Sequence, residues 1–202
     1  MSEDNTKLQI RNARLAFPNL FTPQEPMTKD GKPRYTATLL LNPKDPQIAK
    51  IRKAMESAAQ AKWPKTWAEN LKACVRKDDI CLRDGDDKSK YDGFAGNLYL
   101  STAAPVDARP LVIDQAKRPL TEADGVIFPG CYVNAIVEIY AQDNHGRKGI
   151  NCSLAGVQFV REGPSFAASR PASVDEFDDI SDGADADGFD EETEGAEEPS
   201  IW

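Results

Sequence analysis

The chain has 202 residues, of which 40% are hydrophobic, 8% aromatic and 29% charged. This length suits one main domain that buries a core without disulfide or metal staples. The sequence has no apolar run of about 18 residues, which excludes a transmembrane helix. The acidic start also lacks the bases and apolar core of a secretion signal, so we expect an intracellular protein.

Four cysteines (Cys74, Cys81, Cys131 and Cys152) and one histidine, His145, limit the chemistry available. The cysteines form no CxxC pair and are too scattered for a disulfide framework or a zinc finger. A single histidine excludes most hydrolytic triads and histidine-based metal triads. The sequence also has no Walker A loop, GxGxxG or GxSxG. We therefore expect no catalytic residue, no metal and no cofactor.

The formal net charge of −8 conceals two parts of opposite charge. Residues 171–202 contain 13 acidic residues and no basic one, so residues 1–170 hold 20 acidic and all 25 basic residues. The body is thus basic, at +5, and the tail is strongly acidic, at −13. Sparse apolar residues without periodicity predict a disordered tail. We expect a folded domain over residues 1–165 and a tail over 166–202.

Alternation of apolar and polar residues predicts about five main strands. They cover residues 8–17, 34–42, 94–104, 128–142 and 149–160, and a further short strand is indicated at 111–114. In the first strand the phase slips at residues 12–13, which predicts a β-bulge, and then places Leu15 and Phe17 on one face. Residues 143–147 predict a hairpin turn between the last two strands.

One amphipathic helix is predicted over residues 46–62, because Ile48, Ile51, Met55 and Ala58 share a face. A shorter helix follows around Trp67, and the polar residues 76–93 predict a long loop. No βαβ rhythm is present. These elements predict a mainly β fold, a small antiparallel barrel or sandwich. Among small barrels the OB type accommodates such connections, which favours an OB-fold-like five-stranded antiparallel barrel with an inserted α-helix and long loops.

Basic residues interleaved with aromatic residues suggest a surface for single-stranded nucleic acid. Lysine and arginine neutralise phosphates, and aromatic rings stack on unpaired bases. The predicted phosphate contacts are Lys32, Arg34, Lys88, Lys90, Lys117, Arg118, Arg147 and Lys148. The predicted stacking residues are Tyr91, Phe94, Tyr99 and Tyr140. Phe94 is the weakest of these, because its alternation groups it with the apolar Leu98 and Leu100.

Two other functions stay open at this point. The carboxylates between Asp78 and Asp92 could bind metal ions in a nuclease, although they alternate with bases in one loop, which is more typical of a solvated surface. Alternatively, the sheet could bind a protein, as in an adaptor with an acidic tail. A calcium loop beginning at Asp84 is disfavoured, since Lys88 and Ala95 stand where oxygen ligands are needed.

Several segments occur in an order that resembles a known family. They are RLAFPNLFTP at 14–23, RYTATLLLNP at 34–43, LRDGDD and YDGF within 82–94, LYLSTAA at 98–104, PGCYVNAIVEIYA at 129–141 and KGINCSLAGVQFVREG at 148–163. Together they resemble the single-stranded-DNA-binding proteins of tailed phages and prophages, a family formerly classed as a domain of unknown function. The resemblance implies an OB-fold core, sequence-nonspecific binding of single-stranded DNA, a role in phage replication or recombination, and action in the bacterial cytoplasm.

The acidic tail with an aromatic end also resembles the tails of bacterial and phage single-stranded-DNA-binding proteins. That resemblance implies a tail that competes with DNA and recruits replication or recombination proteins. Ile201 and Trp202 are the predicted docking tip. The terminus differs from the Pro-Phe ending of the bacterial proteins, so the electrostatic role transfers more readily than the docking partner.

Overall fold

The computed structural model of the chain describes residues 6–26, 31–144 and 146–166. Within these ranges lie seven strands and two helices: β1 (Lys7–Gln24), β2 (Arg34–Leu41), α1 (Gln47–Lys62), α2 (Trp67–Arg76), β3 (Leu82–Asp84), β4 (Leu98–Pro105), β5 (Leu111–Ile113), β6 (Tyr132–Asn144) and β7 (Arg147–Arg161). The predicted tip, Ile201 and Trp202, lies outside the described residues, as do His145 and the rest of the tail beyond Phe166.

Five of the strands close into a barrel. β1 pairs antiparallel with both β2 and β6, β2 pairs with β4, and β6 pairs with β7. A single parallel bridge, Ala103 to Ser153, joins β4 to β7 and completes the ring. The short strands β3 and β5 extend the sheet at its two ends. This connectivity is that of a partly open OB barrel, which confirms the predicted fold class.

The barrel interior contains the apolar faces that the alternation predicts. In β2, Tyr35, Ala37, Leu39 and Leu41 are all buried. The predicted apolar face of α1 is also buried against the barrel: Ile48, Ile51, Met55 and Ala58. The helix begins one residue later than predicted, at Gln47, whose N–H donates to the Asp45 carboxylate at 2.8 Å. The second helix is longer than expected and extends to Arg76.

Two bulges bend β1, of which the sequence predicts one. The register with β6 shifts between Ile10 and Ala13, where Asn12 has a φ of 51°, and this confirms the predicted bulge. A second shift, in the register with β2, falls between Ala16 and Asn19, where Phe17 has a φ of 48°. The prediction that Phe17 shares the face of Leu15 is therefore wrong. The bulge turns the Phe17 ring outward, while Leu15 stays in the core.

The loop predicted over residues 76–93 has more structure than its polar composition indicates. It contains the short strand β3 and a 3-10 turn over Gly85–Lys88. The strand predicted from residue 94 starts only at Leu98, so Phe94 belongs to this connection. The predicted hairpin is present, with Asn144 paired to Arg147. Among the helices in the described ranges, none has the length and apolar character needed to cross a bilayer.

Candidate nucleic-acid interface

A groove of about 980 Å³ crosses the outer face of β2 and β4. These are the second and third strands of the barrel, the face on which OB folds bind oligonucleotides. Its floor carries small side chains, because Thr36 pairs with Ala103 and Thr38 with Ser101. Small residues leave room for a ligand to approach the backbone of the sheet.

Four rings form an aromatic cluster at one side of this groove: Phe17, Tyr91, Phe94 and Tyr99. Phe17 and Tyr91 line the groove and are 45% and 41% exposed, with ring centroids 5.2 Å apart and planes nearly perpendicular. The ring centroid of Phe94 lies 5.7 Å from that of Phe17 and 5.5 Å from that of Tyr99. Two exposed rings are thus supported from behind by two buried ones.

The expectation that Phe94 and Tyr99 stack on bases is not supported by their positions. Phe94 is 1% exposed and Tyr99 is 2% exposed. Both pack with Ala16 and Leu40 in a small apolar cluster on the outer face of the barrel, separate from the interior core. A base cannot lie on a ring that protein atoms already cover on both faces. These two residues support the exposed rings and do not contact the ligand themselves.

The segment that carries Tyr91 and Phe94, residues 85–97, is held by close backbone contacts. The Gly85 N–H donates to the Asn97 carbonyl at 2.8 Å. A Cβ at Gly85 would lie 2.1 Å from the Phe94 carbonyl oxygen, so no larger residue fits. The Asp86 carboxylate accepts from the Gly96 N–H at 2.7 Å. Local hydrogen bonding therefore fixes the ends of a segment that has no strand partner.

Four of the six carboxylates considered as metal ligands have partners within the protein: Asp78, Asp79, Asp84 and Asp86. Asp84 accepts from the Asp86 N–H, Asp78 lies 3.3 Å from Arg83 and Asp79 lies 3.2 Å from Arg147. Within the described ranges, no group of three or more His, Cys, Asp or Glu side chains is arranged to hold a metal ion. The acidic residues of this region thus accept hydrogen bonds from backbone N–H groups or pair with basic side chains.

Two of the predicted phosphate contacts, Arg34 and Lys88, line the groove itself. The Lys88 Nζ lies 4.7 Å from the centroid of Tyr99, and the Lys90 Nζ lies 5.0 Å from that of Tyr91. Lys32 is exposed two residues before Arg34 and does not line the groove. Lys90 thus lies beside an exposed ring of the aromatic cluster, and Lys88 lies in the groove beside the buried ring of Tyr99.

Tyr140, Arg147 and Lys148 extend this surface along the hairpin of β6 and β7. Tyr140 is exposed and lines the groove opposite Asn151. Arg147 and Lys148 line an adjoining pocket of about 330 Å³, which shares Arg83 and Asn151 with the groove. Each has a protein partner, because Arg147 pairs with Asp79 and the Lys148 Nζ donates to Asn70 at 2.9 Å.

Lys117 and Arg118 lie elsewhere. Lys117 lines a separate cleft of about 210 Å³ beside β5, which has no lining residue in common with the groove. Arg118 pairs with Asp114 at 2.7 Å. The backbone N–H of Arg118, together with its guanidinium, holds the pKa of Asp114 below its ordinary value. The structure therefore does not bring these two predicted contacts to the groove.

The groove-lining residues that sequence reasoning misses include one aromatic, one basic and one amide side chain: Phe17, Arg83 and Asn151. The signal for Phe17 was Pro18, because a proline inside a strand marks a bulge or an edge. Arg83 belongs to the short strand β3, and its Nε donates to the Ile80 carbonyl at 2.8 Å. Asn151 gives no signal in the sequence, since its position depends on the register of β6 and β7.

Two thiols, Cys81 and Cys152, also line the groove and are buried. A hydrogen bond with Cys81, together with burial, raises the pKa of Cys152 well above its ordinary value. Cys152 therefore stays a neutral thiol at physiological pH and offers no thiolate nucleophile to a bound ligand. The charged residues that line the groove are three basic ones and one acidic one: Arg34, Arg83, Lys88 and Glu122.

Comparison with known proteins gives a consistent result. Residues 6–189 match the model of a family described as the ssDNA-binding protein of Enterobacter phage Enc34. A protein named p50, from Acyrthosiphon pisum secondary endosymbiont phage 1, is 45% identical over 178 residues, which cover 87% of this chain and 94% of p50.

Solved structures are similar in fold. The single-stranded-DNA-binding protein of bacteriophage Enc34, solved in complex with ssDNA, has a TM-score of 0.68 at 23% identity and covers 83% of this chain and 96% of its own. The single-stranded-DNA-binding protein gp2.5 of bacteriophage T7 has a TM-score of 0.53 at 12% identity and covers 92% and 98%. At these identities the likeness concerns the fold alone.

The two kinds of ring in the aromatic cluster should differ in their contribution to stability. We expect Phe94→Ala to lower the free energy of unfolding by about 3–5 kcal/mol, since it empties a buried site. We expect Phe17→Ala to lower it by about 1 kcal/mol or less, because that ring is half exposed. Urea denaturation of both variants measures the difference. Equal losses would contradict the assignment of Phe94 to the buried side of the cluster.

Proposed function

The chain belongs to the family of phage single-stranded-DNA-binding proteins represented by that of Enterobacter phage Enc34, and we propose that it binds single-stranded DNA in the groove over β2 and β4. It binds without sequence preference and protects the strand during phage replication or recombination. Its action lies in the cytoplasm of the bacterial host, where that DNA is exposed. The Enc34 protein solved with ssDNA supports this proposal.

The observation that carries the proposal is the pair of exposed rings, Phe17 and Tyr91, beside Arg34 and Lys88 in one groove. Unstacked bases gain about 1–3 kcal/mol each on such rings, and all four bases have a face to stack. Phosphates are neutralised by the neighbouring cations. A duplex hides its base faces inside its own stack, so this arrangement selects single strands without reading sequence.

Binding is favoured over catalysis. Among the carboxylates between Asp78 and Asp92 that would serve a nuclease, four are paired with Arg83, Arg147 or backbone N–H groups: Asp78, Asp79, Asp84 and Asp86. The thiol of Cys152 is held protonated. Incubation of the protein with labelled single strands and Mg²⁺ or Mn²⁺ checks this part of the proposal. Cleavage that is lost in Asp84→Ala would overturn it.

The first experiment is a fluorescence-anisotropy titration of the full chain with labelled oligo-dT and with a duplex of equal length, at two salt concentrations. We expect tight binding of oligo-dT that weakens steeply with salt, and weaker binding of the duplex. No binding of either probe would overturn the proposal and favour a protein-binding adaptor.

Substitution of two lysines, one inside the groove and one outside it, tests whether DNA follows the groove. We expect Lys88→Ala to raise the Kd for oligo-dT and to reduce the slope of log K against log salt by about 0.7, the value for one phosphate contact on a single strand. Lys117→Ala removes the same charge from a cleft outside the groove and should leave both quantities unchanged. Equal effects of the two substitutions would contradict the groove as the DNA path.

Stacking on Tyr91 has its own signature. We expect Tyr91→Ala to weaken binding of oligo-dT by about 1–3 kcal/mol, because one stacked base loses its partner. Tyr91→Phe keeps the ring and should bind as the wild type does. The salt slope should be the same in all three proteins, since no phosphate contact changes. A loss of affinity in Tyr91→Phe as large as in Tyr91→Ala would point to the hydroxyl group and against stacking.

We propose that the acidic tail competes with DNA for the basic groove. As a flexible chain, its 32 residues after residue 170 would span about 30 Å. Tethering would give the 13 carboxylates an effective concentration approaching the millimolar range. When DNA displaces the tail, Ile201 and Trp202 become available to a replication or recombination protein.

Removal of residues 171–202 should therefore strengthen binding of oligo-dT, most clearly at low salt, where the attraction between tail and groove is least screened. A full-length variant in which every Asp and Glu of the tail is replaced by Asn or Gln is the matched control. It should bind as tightly as the truncated protein. Equal affinity of the wild type and both variants would contradict the competition.

A further inference from the structure

The last described residues, 163–166, fold back onto the outer face of the barrel, and we call them the C-terminal latch. The Phe166 N–H donates to the Pro129 carbonyl at 3.0 Å, and the Arg14 Nη2 donates to the Pro164 carbonyl at 2.7 Å. A Cβ at Gly130 would lie 2.2 Å from the Pro164 oxygen. The latch thus runs so close to the barrel that the facing residue has to be glycine.

The ring of Phe166 closes the small apolar cluster on this face. It packs on the cluster that contains Leu40, Phe94 and Tyr99. On one side the Arg14 guanidinium carbon lies 4.2 Å from its centroid. On another side is Gly93, where an added Cβ would lie 2.4 Å from the tip of the ring. Phe166 therefore fills the space between β1 and the segment that carries Tyr91.

The register of the sheet explains why Arg14 stands at this place. Arg14 is paired with Leu40 of β2 on one side and with Tyr132 of β6 on the other. Its guanidinium is 5.5 Å from the Tyr132 ring, and the Arg161 guanidinium lies 3.3 Å from the same ring. Arginine and aromatic side chains therefore alternate across the strands and end at Phe166. This stacking orients Arg14 toward the latch.

We propose that Phe166 is a positioning residue for DNA binding, which holds segment 85–97 so that Tyr91 and Lys88 face the groove. The inference rests on the proposed function. Phe166 does not line the groove, so it acts through Phe94 and Gly93. Without the Phe166 ring, segment 85–97 loses its packing on one side. The Tyr91 side chain is then no longer held in place beforehand and must be ordered when DNA binds. Ordering a side chain at that moment weakens affinity without removing any contact to DNA.

The test compares full-length wild type, Phe166→Ala and Phe166→Leu, with Leu111→Ala as the control. Leu111 is an apolar residue, 58% exposed, beside β7 and outside the groove. Hydrogen exchange without DNA is measured over residues 85–97, and binding of oligo-dT is measured by anisotropy at several salt concentrations. Phe166→Leu keeps an apolar side chain, so it guards against a general loss of folding in Phe166→Ala.

We expect Phe166→Ala to speed exchange in segment 85–97 and to raise the Kd for oligo-dT by about 2- to 10-fold, with an unchanged salt slope. Phe166→Leu should fall between the alanine variant and the wild type, and Leu111→Ala should match the wild type. Unchanged exchange, or faster exchange with an unchanged Kd, would overturn the proposal. Failure of the wild type to bind oligo-dT would overturn the proposed function instead, while the exchange data would still decide whether Phe166 holds the segment.

Discussion

Packing of Phe94 against Tyr99 and Leu40 is the contact on which the geometry of the groove depends. The segment between Gly85 and Asn97 has no strand to pair with, and apolar contact on the outside of the barrel is what holds it there. That cluster acts as a second, small core. Its burial fixes the backbone from which Lys88 and Tyr91 project, so an apolar interaction decides where a polar ligand can be contacted. The closed barrel supplies a rigid support beneath it.

The bulge at Phe17 strains the backbone beside the same aromatic cluster. A phenylalanine with a φ of 48° occupies a backbone region that costs about 1–3 kcal/mol for a residue other than glycine. Regular alternation would have turned this ring into the interior beside Leu15. The strand continues to pair with β2 on both sides of the irregularity, so the surrounding sheet maintains the conformation. The result is an exposed aromatic ring on a strand and not on a mobile loop.

The elements that can be predicted from the sequence are those with a regular spacing of apolar residues. β2, β6, β7 and α1 have regular apolar spacing, and each forms with bounds within four residues of the predicted ones. Alternation reports which face of a strand a residue occupies, but not whether another segment covers that face, and for this reason Tyr99 was predicted as exposed and is buried. Charge composition likewise identified basic residues without their positions. Arg34 and Lys117 are both basic residues predicted to contact phosphate. Only the fold shows that Arg34 lines the groove and Lys117 lines a separate cleft. Arg14 and Phe166 are in contact although they lie 152 positions apart in the chain, and they share no local signal.

The double pairing of β1 has a consequence for how the protein is made. Its first half pairs with residues 132–138 of β6, more than 100 positions later in the chain. During synthesis, β1, β2 and β4 can assemble first, because all three precede β6 in the chain, but β1 then presents an unpaired edge to solvent. The barrel can close only when β6 and β7 have both left the ribosome, because the bridge between β4 and β7 completes the ring. Pairing at such separation slows folding. A strand whose second partner lies more than 100 positions later therefore leaves the nascent protein vulnerable to edge-to-edge association until that partner has been translated.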